Sequence, residues 1–365
     1  MNTEKLRQLI DHARNVEDEL QTQNRLQELN RALQNIVNAP QEPSHQDALA
    51  ENLAKISLVM EQFQAAFSPQ DFGRLQDLAP ETFATDIPIK IKAKIEANPM
   101  SPNVAKDYVQ EIINERNMVF THLNQMSDSM KFFEFDYDEI DGGYAEVGFQ
   151  IPRELFENNL EGLITELNQI KRMVRIVSEA MTGAYKPPKV GTISTSDPLI
   201  FLELAVEVAK YFGGVVTWGI AVWYSVEKIR KVRAETAQID AFTDKEIADI
   251  FDNKIQQQID EAVEAKVKEL LSEGKPPKGR KGDLSASLKW VLEALLAKME
   301  RGLTVELRIP PPPEQELDDD GEQIINTQTV LDHLALEELQ RQLSFPEPSE
   351  EPILALPSYE AEKKS

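Results

Sequence analysis

A chain of 365 residues with 41% hydrophobic and 28% charged side chains has the composition of a helical protein, long enough for two or three packed units. Its formal charge of −24 opposes general binding to nucleic acid, which needs a basic surface, and the absence of cysteine excludes disulfides, thiolate metal sites and cysteine nucleophiles. The opening MNTEKLRQLIDHARNVEDEL has no apolar core of the secretory kind and carries acids foreign to a mitochondrial presequence, so a cytoplasmic location is expected, with membrane association as the variant weighed below.

The first elements are helical. Leu6, Leu9, Ala13, Val16 and Leu20 recur in steps of three and four, and Leu26, Leu29, Leu33 and Ile36 continue in a shifted phase, which predicts a helix with a stutter. Pro40 and Pro43 end it, and Leu49, Leu53, Ile56, Met60, Phe63 and Phe67 begin another helix, so residues 1–79 are expected to form a helical hairpin. The next expected unit is 80–196. Ser101-Pro102 caps a helix through Val109, Ile113, Val119, Phe120, Leu123 and Met130. In FEFDYDEIDGGYAEVGFQIP, Phe133, Phe135 and Tyr137 alternate with Glu134, Asp136 and Asp138 before the turn residues Asp141-Gly142-Gly143, which predicts a β-hairpin over about 132–151. A helix then runs from near Leu160 to Gly183, and KVGTISTSDP supplies a short strand.

A central hydrophobic helix is expected over 197–241, opened by Asp197-Pro198. The unit 242–313 holds a helix capped by Thr243 and Glu246, the basic linker KPPKGRKGD, a helix around Trp290 and Leu295, and the strand LTVELRIP. Residues 314–365 carry 14 acids against 3 bases, a net of −11, and read as an acidic disordered tail containing one amphipathic stretch (Val330, Leu331, Leu334, Leu339, Leu343) and the apolar island PILALPSY. The fold class expected is mainly α with a small β part.

Between about 151 and 236, the stretches IPRELFENNLEGL, ISTSDPLIFL, VTWGIAVW and IRKVRAET resemble uncharacterised bacterial helical proteins. The resemblance implies bacterial origin and carries no activity.

Chemical motifs are sparse. His12, His45, His122 and His333 never pair at helical spacing, and neither a phosphate-binding loop nor a GxSxG elbow is present, so no catalytic residue, metal or cofactor is expected. Glu316, Asp318, Asp320 and Gly321 imitate half a calcium loop, but Thr327 stands where the bidentate Glu belongs. Glu134, Asp136 and Asp138 read as a solvated strand face.

The central segment is the informative one. Stepping by fours and threes from Glu203 passes Glu207, Lys210, Gly214, Thr217, Ala221 and Tyr224, one polar and small stripe on an otherwise apolar helix, and Gly213, Thr217 and Ala221 form a small-xxx-small row beside it. Such a row lets another backbone approach closely, which predicts a self-association face and a homo-oligomer. The same stretch, 199–226, could instead meet a membrane: a window from Val208 to Val226 spans about 28 Å, and Lys228, Arg230, Lys231 and Arg233 form a basic flank suited to an anionic surface. Insertion is marginal, because each central charge costs about 2.5–3.5 kcal/mol and each apolar residue returns about 0.3–0.6.

The leading expectation is a non-enzymatic, self-associating scaffold or interaction protein with a regulatory acidic tail offered to a protein partner. A membrane-associated effector is the alternative, and an enzyme of unrecognised class ranks third. The tail acids are expected to cover Lys275, Lys278, Arg280 and Lys281, or Lys228 to Arg233.

Overall fold

The computed structural model describes residues 3–135, 137, 140–194, 198–236, 244–312, 316–317, 323–324, 327–349 and 352–356. The chain divides into two units, Met1–Asp138 and Glu139–Ser365. Helices dominate both, and a small antiparallel sheet belongs to the second, so the fold is mainly α with a small β part. The boundary falls inside the expected 80–196 unit, because the helix after Ser101 packs with the N-terminal helices.

Unit 1 is built from α1 (Thr3–Leu20), α2 (Thr22–Asn38), α3 (Pro43–Ala65), α4 (Pro69–Leu78), α5 (Ile87–Ala97) and α6 (Pro102–Phe132). The phase shift in the sequence is a true break: Gln21 adopts a left-handed conformation with φ 52° between α1 and α2. The break lets the two helices feed separate cores. Leu9, Ile10, Ala13 and Val16 of α1 bury against Phe63, Phe67, Phe72 and Leu123, whereas Leu26, Leu29, Leu33 and Ile36 of α2 bury against Ile56, Ile91, Val109 and Ile113. Prolines at the first turns of α3, α4 and α6 start helices where no N–H is missed, and Ser68 caps α4 by accepting from Asp71 N at 3.1 Å.

The expected hairpin at 132–151 does not form. Helix α6 runs through Phe132, Phe133 and Phe135 are exposed after it, Glu134 takes a positive φ of 57°, and Asp136 and Asp138 lie outside the described residues. Only the second arm is a strand, and its partners come from elsewhere in the chain.

In unit 2 that strand, β1 (Tyr144–Gln150), is followed by a 3-10 turn at Arg153–Phe156 and α7 (Leu160–Thr182), capped by Asn159 at its start and left-handed Gly183 at its end. Next come β2 (Lys189–Ser194), β3 (Leu199–Ala205), α8 (Val206–Thr236), α9 (Asp244–Glu273), α10 (Lys281–Met299) and β4 (Thr304–Arg308). The expected cap Thr243 lies outside the described residues. The sheet order is β2-β3-β1-β4, every pair antiparallel. Period-two alternation sends Ala145, Val147 and Phe149 of β1, with Leu204, Leu202 and Ile200 opposite them, into the core shared with α7, α8, α9 and α10. On the other face Arg308 bonds Glu146 at 2.6 Å and lies over the ring of Phe201.

Leu199–Ala205 therefore corrects the expected central helix, which begins only at Val206. A strand buried on both faces reads as a continuous apolar run, and here it passes into a helix without a breaking residue. Glycine has a distinct use where α7 and α9 end: a Cβ on Gly183 would sit 2.7 Å from Lys275 O, and one on Gly274 would sit 2.2 Å from Ala180 O. The close approach is fastened by Lys275 N donating to Met181 O at 3.1 Å.

The C-terminal region also departs from expectation. Two short strands, β5 (Glu316–Leu317) and β6 (Gln323–Ile324), pair antiparallel, and α11 (Thr327–Gln342) packs on α8 and β4 with Leu336 and Leu343 fully buried. The amphipathic stretch noted in the sequence is thus an ordered element of unit 2, and Asp318, Asp320 and Gly321 of the calcium-like motif lie outside the described residues.

Candidate functional site

Helix α8 lies at the centre of unit 2 because most of its circumference is apolar: Val208, Ala209, Phe212, Val215, Val216, Ile220 and Trp223 are all buried in the shared core. The remaining strip carries the stripe read from the sequence, less its first member. Glu203 belongs to β3, where it pairs with Lys189 at 3.0 Å across the sheet. The proposed membrane segment 199–226 is correspondingly part strand and part core helix, and no described helix is long and apolar enough to cross a membrane.

The other stripe residues meet the chain's own C-terminal region in sequence order. Lys210 donates to Asp332 at 2.7 Å. Gly213 faces Leu307 of β4 and Leu339 of α11, both so near that a Cβ would lie 3.2 Å from each. The Tyr224 hydroxyl reaches Ser344 O at 3.5 Å, and Arg230 donates to Ser349 Oγ at 2.9 Å. Residues 332, 339, 344 and 349 thus follow 210, 213, 224 and 230, so the C-terminal strap runs parallel to α8. Beyond them the strap ends on Glu300, which is 2% exposed. Its two carboxylate oxygens accept Ile353 N and Leu354 N at 2.9 Å each, it pairs with Arg230, and its own carbonyl accepts Ser349 N at 3.0 Å. Arg301 closes the anchor by donating to Leu354 O at 2.7 Å. A buried carboxylate that accepts backbone N–H groups and pairs with a guanidinium is well satisfied, which fixes the strap in one register.

Part of the stripe stays open. Nothing lies within 4 Å of a Cβ built on Gly214, Ala221 is exposed, and Tyr224 is half exposed. Thr217 turns its hydroxyl inward to Gly214 O at 3.2 Å. Glu207 is exposed and lies 3.9 Å from Lys275.

The basic flank is shared between solvent and structure. Lys228 and Lys231 are exposed, Arg230 is committed to Glu227, Glu300 and Ser349, and Arg233 bonds Asp252 at 2.8 Å. The expected docking of tail acids on the linker cations is not the arrangement seen: Arg280 pairs with Glu179 at 3.0 Å, and Asp332 goes to Lys210 instead.

Sequence reasoning missed three buried charges. Glu300 follows the apolar run of α10 and gave no signal. Lys298 is fully enclosed and bonds Glu166, a pair visible in retrospect as single charges inside LEALLAKM and LITELNQI. Burial holds the Lys298 amine below its ordinary pKa, opposed by Glu166 and reinforced by Arg301. In unit 1, Arg116 is enclosed in the same manner and bonds Glu17 at 2.5 Å. Burial likewise lowers its pKa from the ordinary guanidinium value, while Glu17 acts the other way.

Compared with known proteins, the chain matches no family model, no curated protein and no solved structure.

Proposed function

We propose that the protein is a non-enzymatic interaction protein whose contact surface is the small-residue face of α8, and that its C-terminal strap regulates access to that face. Displacing the strap frees Lys210, Gly213 and the apolar side chains around them, and two copies then associate through α8. The observation that carries this reading is the parallel succession of strap residues along the stripe, from Lys210–Asp332 to Arg230–Ser349.

Energetics favour a strap that can leave while unit 2 stays folded. Helix α11 buries His333 and Leu336, with Leu343 just beyond it, whereas α10 buries ten of its nineteen residues. Each fully buried leucine contributes about 1.5–3 kcal/mol before ordering entropy is subtracted, so the strap opens at a fraction of the cost of global unfolding. The residues from 309 to 326 separate β4 from α11, enough chain to reach about 60 Å when extended.

The test is Leu339→Glu in the full chain, which places a charge against Gly213 and Leu307. Sedimentation velocity over a range of concentrations should show the parent smaller than the variant, with salt shifting the parent toward association by screening Lys210–Asp332. A variant that stays the size of the parent at every concentration sinks the self-association reading. Co-pelleting of a monomeric variant with anionic vesicles would transfer the freed face to a lipid surface instead.

A further inference from the structure

The break between α1 and α2 creates a second locus in unit 1, independent of the strap. Because Gln21 is left-handed, α2 restarts with free N–H groups, and Glu17 turns back to serve them: its Oε1 accepts Gln23 N at 2.8 Å while its Oε2 accepts Arg116. The Arg116 guanidinium is roofed by rings, with its carbon 4.8 Å from the centroid of Phe120, 5.1 Å from Phe63 and 6.0 Å from Phe83. One edge remains. Its Nε–H has no acceptor, and neither the hydroxyl of Thr22 nor that of Thr82 has a partner, although these three residues are 3%, 1% and 4% exposed.

All three line one cavity of about 160 Å³. Buried donors without acceptors are costly, so three converging on one space call for an occupant that satisfies them together. A single water needs about 10–15 Å³, whereas a benzene ring occupies a cavity of about 150 Å³. The remaining walls include the aromatic rings of Phe63, Phe72 and Phe83, which suit the faces of a flat molecule. Charge decides the class further. Glu17 already neutralises Arg116, and the exposed Glu61 stands at the rim, so neither an added anion nor an added cation finds an unmatched partner inside.

We propose that this cavity binds an uncharged, single-ring heteroaromatic compound whose carbonyl oxygen accepts from Arg116 Nε–H and whose ring heteroatoms bond the Thr22 and Thr82 hydroxyls. Pyrimidine-dione and pyridone rings have this size and pattern.

The experiment uses the full chain with uracil and 2-pyridone as probes, and toluene and benzoate as controls for size and charge. Ligand-observed saturation-transfer NMR and calorimetric titration should give dissociation constants in the millimolar range or tighter for the two probes, and binding at least about tenfold weaker for the controls. Thr82→Val should weaken uracil binding about threefold to tenfold, and Thr82→Ser should restore it. Arg116→Lys, with folding checked by circular dichroism, should weaken it by about tenfold, since an ammonium cannot present the Nε edge. If Arg116→Lys does not fold, the Thr82 pair decides alone. Silence from both probes makes the cavity a water-filled gap and overturns the proposal. Equal binding of toluene and uracil overturns the polar recognition, and uracil binding unchanged in Thr82→Val and Thr82→Ser places the probe elsewhere and overturns the site.

Discussion

Each unit encloses one cation–carboxylate pair, and the two pairs are finished differently. Lys298 is sealed among the apolar side chains of α7 and α10, with Glu166 beside it at 5% side-chain exposure. Arg116 sits at a helix break, its partner Glu17 is 13% exposed, and one guanidinium edge is left over beside a cavity. Burying a charge is tolerable when its bonding is complete and the space around it is filled, as in unit 2. Unit 1 meets the charge requirement but leaves donors and volume, which is how a binding locus differs from a core.

The largest effect expected from breaking this comparison is in the sealed pair. Lys298→Met leaves Glu166 buried and unpaired, and should cost about 3–5 kcal/mol, whereas Lys298→Met with Glu166→Leu should recover most of the loss. Trp218, Trp223 and Trp290 all lie in unit 2, so urea titration followed by tryptophan fluorescence reports this unit alone. A double variant as unstable as the single one would show that the pair itself, rather than the orphaned charge, holds α7 to α10. Arg116→Met should cost less, about 2–3 kcal/mol, because solvent can reach Glu17 once the guanidinium is gone. Hydrogen exchange of unit 1 peptides measures it, and a cost equal to that in unit 2 would mean that the opening beside Arg116 gives no relief.

Smaller effects belong to the strap and to a surface network. Gly213→Leu drives a side chain into Leu307 and Leu339 and should cost about 1–3 kcal/mol, read as faster proteolysis between 327 and 356. The smallest concerns Asp71: burial pushes its carboxyl upward, but Lys5 and Arg74, at 3.0 and 2.7 Å, outweigh this and hold it below the ordinary carboxylate value. A carboxyl depressed in the folded state contributes stability that is present above the unfolded pKa and is lost as pH falls through the folded one. Below about pH 4, therefore, unit 1 should lose on the order of 1 kcal/mol that Asp71→Asn does not have to lose. Parallel acid transitions for parent and variant would remove Asp71 from the account.

Much of the fold was legible because unit 1 and the ends of α7, α10 and β4 follow local rules. The 4-3 spacing of Leu26 to Ile36 and of Leu49 to Phe63 specifies which faces bury, and Asn159 and Gly183 bracket α7 in sequence as in space. Two segments were misread for one reason, that apolar pattern alone does not reveal tertiary neighbours. LIFLELA fits helical steps as well as a doubly buried strand, and only its pairing with β1 and β2 decides. FEFDYDE alternates like a strand, yet no neighbouring strand receives it and its described aromatics remain exposed. Of the α8 stripe the sequence revealed the small residues but not their cover, since Leu339 lies over one hundred residues away in a segment whose acidity suggested disorder. Glu300, Glu166 and Arg116 were invisible in principle, because a charge on a helix is read as solvated until its partner is known.

The strand order β2-β3-β1-β4 has a consequence for biosynthesis. Strand β1 acquires β3 on one side when residue 205 has been made, but its other edge waits for β4 at residues 304–308. At about 5–20 residues per second, a nascent chain carries that bare edge for roughly 5 to 20 s, while the helices of unit 1 are already complete. The edge is short and apolar on one face, the kind that pairs with neighbouring chains when left open. Ribosomes translating one message in close succession would bring such edges together, so slowing translation between residues 205 and 304 should raise insoluble yield, and slowing it after residue 308 should not.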